Sequence, residues 1–358
     1  MSEAANPYED LPPDAFWRSG VAEPGIWGLR DLWKSKWDLP ADARFSTYGS
    51  CFAQHISRAL ISRGFNWLNA EPAPGRTPDA LARAYNYGIF SARTGNIYRA
   101  AQLSAQVDLA TGAVGPEDWE IWDTPTGRVL DSMRPAIEPG GFEDKADLIA
   151  SRIAMARAFR RSIVDADVFV FTLGLTEGWE NTRTGQCYPL CPGTQGGAFD
   201  EGIHCFVNDR YPDVYATLET AFARMWEVNS GLRILLTVSP VPLTATASRY
   251  HVLPATIYSK SVLRAVAGDF ALSDERIDYF PSYEIITGAP SRAAFFEPNL
   301  RSVAPQGVAL VMEHVFSGLS LSAPPVHGAL ATEQAMEAAM AEEELVCEEM
   351  TLERFNNG

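Results

Sequence analysis

Hydrophobic positions along the chain alternate between short apolar runs and longer stretches with helical spacing. Residues 168–173 (VFVFTL) and 233–238 (RILLTV) are near-continuous apolar runs of strand length, and 45–48 and 277–280 are shorter β-prone runs. Helical patterns lie between them: one running to about residue 63, and others near 146–161, 213–228, 259–272 and 307–316. Buried strands alternating with helices predict an α/β fold with a parallel sheet covered on both faces. Two regions depart from this rhythm. Residues 70–145 are rich in Pro and Gly, with a hairpin-like pair of segments at 119–122 and 127–130, and residues 180–212 are rich in Gly, Pro and Cys. Both read as insertions over the strand C-terminal ends, where specificity loops sit.

The ends of the chain differ from its middle. Residues 1–40 form an arm bearing Trp17, Trp27, Trp33 and Trp37, large side chains expected to pack on the body, which spans 41–320. Residues 321–358 form an acidic tail with eight Glu from 332 onward, read as a solvated helix. No internal repeat is present.

Composition narrows the class. The apolar fraction of 46% and charged fraction of 21% are those of a globular domain. No apolar run reaches the length of a membrane span. The start MSEAANPYEDLPPD lacks the basic and apolar regions of a secretory signal, so a cytoplasmic protein is expected. Five irregularly spaced cysteines fit thiols in a reducing compartment. A net charge of −16 argues against nonspecific binding to nucleic acid or anionic lipid and says nothing about which small molecule or carbohydrate would be the substrate. Oligomeric state is not legible from composition.

Gly49-Ser50-Cys51 is the strongest chemical feature. It ends a β-prone run and precedes a helical pattern, which sets a hydroxyl and a thiol at a strand end beside a helix N-terminus. Both settings favour a nucleophile. A tight turn with a small buried serine and an inert cysteine is the bland alternative. Elsewhere, Cys187, Cys191, His204 and Cys205 are soft ligands, but their spacing matches no common zinc motif, so no metal or other cofactor is expected.

The run Gly49-Ser50-Cys51-Phe52-Ala53 resembles the signature of the GSCFA family, itself similar to the SGNH (GDSL-like) hydrolase superfamily. The resemblance spans about 44–316 and includes TLGLTE (172–177), VSPVP (238–242) and YFPSYE (279–284). It implies a three-layer SGNH/flavodoxin-like fold and acyl transfer. Aligned with the superfamily's Gly-Asp-Ser, the nucleophile falls on Cys51, with Ser50 donating a hydrogen bond or shaping the turn. Gly95 and Asn96 fall at the second-block glycine, and Gly174, Thr176 and Glu177 at the Gly-x-Asn-Asp block, as oxyanion or substrate contacts. The late Asp-x-x-His dyad, counted back from Gly307, falls on Asn299 and Ser302, neither a base at neutral pH.

A replacement base must come from five histidines. His251, in the loop after 233–238, is the first candidate, and His55, one turn beyond Cys51, the second. His204, His314 and His327 lie farther from the motif. Glu284 and Glu297 could orient a histidine or bind substrate, and Arg301 could clamp a carboxylate or phosphate. The favoured expectation is an O-acyltransferase or carboxyl esterase acting on a sugar or other small alcohol through an acyl-Cys51 intermediate, with acetyl-CoA as one conceivable donor. The competing expectation is a catalytically silent module that holds a polar ligand with Arg93, Asn96, Glu177 and Arg301.

Overall fold

Five parallel strands form the centre of the computed structural model, which describes residues 6–321 and 348–356. In chain order they are β1 (Arg44–Gly49), β2 (Asn66–Trp67), β3 (Val168–Leu173), β4 (Arg233–Val238) and β5 (Ile277–Phe280). Their spatial order is β2-β1-β3-β4-β5, and every neighbouring pair is parallel. The covering helices are α1 (Ala53–Ser62), α2 (Ala100–Thr111), α3 (Lys145–Val164), α4 (Tyr211–Val228), α5 (Val252–Ser273), α6 (Ser282–Thr287) and α7 (Pro305–Gly318). The result is a three-layer, flavodoxin-like α/β fold.

Strand periodicity explains the two helix layers. Along β3, Phe169, Phe171 and Leu173 join Tyr48, Ile234, Leu236 and Tyr279 in a core covered by α2, α3, α4 and α5. The alternate residues Val168 and Val170 join Phe45, Leu235 and Phe280 in a second core, under α1, α6 and α7. Side chains point to opposite faces every second residue, so a strand buried on both faces reads as one apolar run. That is why the strands are legible in the sequence.

The structure corrects several boundaries. Helix α5 starts at Val252, seven residues before the expected 259, because Pro254 lies in its first turn, where a proline is tolerated. The stretch 70–145 is not wholly an insertion. It contains α2, whose Leu103 and Val107 lie in the main core, and a hairpin pairing Ile121–Asp123 with Val129–Asp131. Residues 177–208 carry a three-stranded antiparallel sheet in which Glu177–Asn181 runs between Cys187–Tyr188 and His204–Asn208.

The arm divides. Trp37 is buried and donates from Nε1 to the Glu275 carbonyl at 2.7 Å, and Trp33 donates to Asp278 at 3.2 Å. Trp17 and Trp27 are 67% and 60% exposed, although Trp27 keeps an edge contact with Phe295. Most of the acidic tail, with His327, lies outside the described residues. Its end, Glu348–Phe355, is a 3-10 helix with Glu348 and Glu349 buried, unlike a solvated helix. No helix among the described residues is long and apolar enough to cross a membrane.

Candidate active site

In a doubly wound sheet, ligands bind beyond the strand C-termini where the strand order reverses. Here that point lies between β1 and β3, and the Gly49-Ser50-Cys51 turn leaves β1 there. Gly49 has φ +138, and a Cβ on it would stand 2.7 Å from the Thr172 nitrogen and closer still to its carbonyl oxygen. Only glycine fits. Ser50 N–H then donates to the Thr172 carbonyl at 3.1 Å, and the Gly49 carbonyl accepts from Ile97 N–H at 2.8 Å, which ties the 91–97 loop beside the turn. Cys51 is buried, and its carbonyl accepts from Gln54 N–H at the start of α1. A helix start stabilises negative charge on a thiol. Ser50 packs on Gly174, and its Oγ is buried with no hydrogen-bond partner among the described residues.

A lysine absent from the sequence-derived candidates completes this cluster. Lys260, on α5, is 1% exposed and donates from Nζ to the Gly174 carbonyl at 2.7 Å. Burial pushes its pKa down to about 7, while the charges of Glu349 and Cys51 pull it upward and Arg301 pushes it down. An ammonium loses hydration on burial, so the neutral amine is favoured. Near neutral pH, Lys260 is therefore able to hold or release a proton at the Gly174 carbonyl, close to the Gly49-Ser50-Cys51 turn. A sequence signal existed: Lys260 precedes the buried Leu263 and Ala267 by three and seven residues, on the apolar stripe of α5.

The other candidates are distributed unevenly around this centre. Gly95 takes φ +66, and a Cβ there would lie 3.5 Å from Glu348 Oε1; Asn96 beside it is buried. The buried Thr176 hydroxyl donates to Asn208 Oδ1 at 2.7 Å. Both Glu177 oxygens are within reach of the Thr246 hydroxyl, at 2.9 and 2.8 Å, and burial holds this carboxyl above its usual range. Glu284 is engaged by Arg264 and by the Tyr279 hydroxyl at 2.7 Å, which fastens β5 to α5. Arg93 donates to the Tyr85 and Ile137 carbonyls at 2.8 and 3.0 Å, a loop-anchoring role. Arg301 donates to Glu349 at 3.3 Å and to Met350 Sδ at 3.1 Å.

The positions expected for an Asp-x-x-His dyad form a closed turn. Asn299 Oδ1 accepts from the Arg301 and Ser302 N–H groups, both at 2.9 Å, and its Nδ2 donates to Ser302 Oγ at 3.0 Å. Glu297 N–H closes the turn on the Ser302 carbonyl at 2.8 Å. His251 is exposed and caps α5, its Nδ1 accepting from Leu253 N–H at 3.1 Å. It lies nine residues before Lys260, roughly 13 Å along the helix axis. His55 is buried on α1 with its ring edge-on to Phe52 at 5.3 Å. His204 Nδ1 accepts from Asp200 N–H, and His314 is buried on α7, where burial lowers its pKa. Burial pushes the Cys187 thiol up to about 12 and Cys191 to about 11. Among the described residues no three His, Cys, Asp or Glu side chains converge as a metal site.

Fold and site together define a flavodoxin-like α/β protein whose switch point carries a buried cysteine and lysine. Residues 44–315 match the model of the GSCFA family, and the chain belongs to that family. No curated protein and no solved structure matches it.

Proposed function

We propose that the chain is an SGNH-like acyl-transfer enzyme with Cys51 as nucleophile and Lys260 as its base. The observation that carries this reading is the buried Lys260 amine, held on the Gly174 carbonyl against which Ser50 of the Gly49-Ser50-Cys51 turn packs. It supplies what the missing Asp-x-x-His dyad would otherwise provide. Neutral Lys260 takes the Sγ proton, and the thiolate attacks the acyl carbonyl carbon. The developing oxyanion faces the N-terminus of α1 and the Gly95–Asn96 loop. Collapse forms a thioester and expels the leaving alcohol or thiol, which takes the proton from the Lys260 ammonium. In the second half, Lys260 accepts a proton from the acceptor hydroxyl as its oxygen attacks the thioester, and returns it to Cys51. A sugar or other small alcohol as acceptor makes the chain an O-acyltransferase; water makes it a carboxyl esterase. A reducing cytoplasm suits this chemistry, because Cys51 must remain a thiol.

Intact-protein mass spectrometry after incubation with p-nitrophenyl acetate or acetyl-CoA tests the reading. An acetyl adduct is expected on the wild type and on Ser50→Ala, and none at this position on Cys51→Ala. An adduct lost in Ser50→Ala and retained in Cys51→Ala would move the nucleophile to Ser50. No adduct from either donor would favour the silent ligand-binding module.

A further inference from the structure

The segment 348–356 packs against the Gly95 and Arg301 loops and is held at both ends. At its start, Arg301 engages Glu349 and the Met350 sulfur, and Met350 packs on the core beside α7. At its far end, Arg354 reaches the Thr194 carbonyl and, at 3.4 Å, that of Gly193. At the first of these clips, Glu348 and Glu349 are only 5% and 7% exposed. Glu348 lies against Gly95, and Glu349 is the strongest charge acting on Lys260. Carboxylates leave water only where cations or donors receive them. A tail with eight glutamates has every reason to remain solvated, yet two of them are buried, Glu348 against the Gly95 loop and Glu349 on Arg301.

We propose that the Arg301–Lys260 side of the crevice is a carboxylate subsite, filled in this structure by Glu349 of the same chain acting as a pseudosubstrate. Glu348 lies over the Gly95 loop, where the oxyanion of the acyl-transfer reading would form; this inference rests on that reading. The substrate is then a small acyl compound or hydroxy acid that itself bears a carboxylate. It gains entry by displacing 348–356, so the resting enzyme is held back by its own C-terminus.

The test reads the accessibility of Cys51 and needs no turnover. Full-length wild type, the Glu348→Gln/Glu349→Gln double variant, Arg354→Ala, and the double variant with Arg301→Met added are treated with iodoacetamide. Alkylation of Cys51 is followed by peptide mapping. The double variant is expected to react at least tenfold faster than wild type, and Arg354→Ala, remote from the crevice, to be faster as well. Glutarate should slow the double variant again, glutaramide and inorganic phosphate should not, and adding Arg301→Met should remove the protection. Wild-type rates in both the double variant and Arg354→Ala, or slower alkylation of the double variant, would overturn the proposal. Protection by phosphate as strong as that by glutarate, or protection that survives Arg301→Met, would overturn the carboxylate assignment. Failure to form an acyl adduct would remove the acyl-transfer reading while leaving this measurement intact.

Discussion

At the scale of single residues, Lys260 carries the chemistry proposed here. A buried amine with a lowered pKa leaves two separable signatures. Lys260→Met should slow Cys51 acylation by about 10²–10⁴-fold and abolish the rise in rate as pH passes about 7. The second signature lies in stability. The folded pKa is below the ordinary lysine value of 10.5, so between about 7 and 10.5 the unfolded chain binds more protons than the folded one. Wild-type stability attributable to Lys260 therefore rises with pH across that window. Urea unfolding at pH 7 and pH 10 should show the Lys260→Met stability shifting downward relative to wild type as pH increases; a constant difference would mean that the amine is not perturbed. Gly49 is legible as a turn residue in the sequence, because a strand–glycine–helix junction is a local pattern. Lys260 is not: its neighbours Ser259 and Ser261 give a polar local context, and only the helix stripe hints at burial.

At the scale of elements, the hairpin pairing 121–123 with 129–131 is joined to α3 by a fully buried ion triad. Asp131 meets Arg134 at 2.8 Å and Arg152 at 2.9 Å, all three side chains excluded from water. Burial alone would raise the Asp131 pKa, but the two guanidinium groups outweigh it and hold it below the usual aspartate range. Asp131→Asn strands two buried cations and should cost about 3–5 kcal/mol in denaturant unfolding at pH 7. The folded pKa is depressed, so this contribution is complete above the unfolded aspartate value of about 3.9 and fades as pH falls below it. The difference between variant and wild type should shrink on acidification through that range. Core strands are legible because burial on both faces makes them continuous apolar runs. The strands Glu177–Asn181 and His204–Asn208 are not, because pairs such as Asn181 with His204 acquire their register only when the loop folds back. Helix α2 escapes the pattern for a related reason: Gln102 and Gln106 share its buried face with Leu103 and Val107 and blur the apolar stripe.

At the scale of the whole molecule, the N-terminal arm belongs to the same core as the α1/α7 layer. Trp37 packs there with Phe45, Val168 and Phe280. Trp37→Ala should cost about 3–5 kcal/mol and lower a single calorimetric transition; a separate early transition would show that the arm folds independently. By itself, the amino-acid sequence determined the layered α/β architecture, the family and the thiol at the end of β1. Each of these follows from local period or from a contiguous motif. Only the tertiary structure brought Lys260 of α5 to the Gly174 carbonyl, against which the Ser50 turn packs, placed Glu349 on Arg301, and set His251 apart as a helix cap. Burial and proximity between residues distant along the chain depend on how the layers close; the stripe of α5 hints that Lys260 is buried, but nothing local says what it meets there.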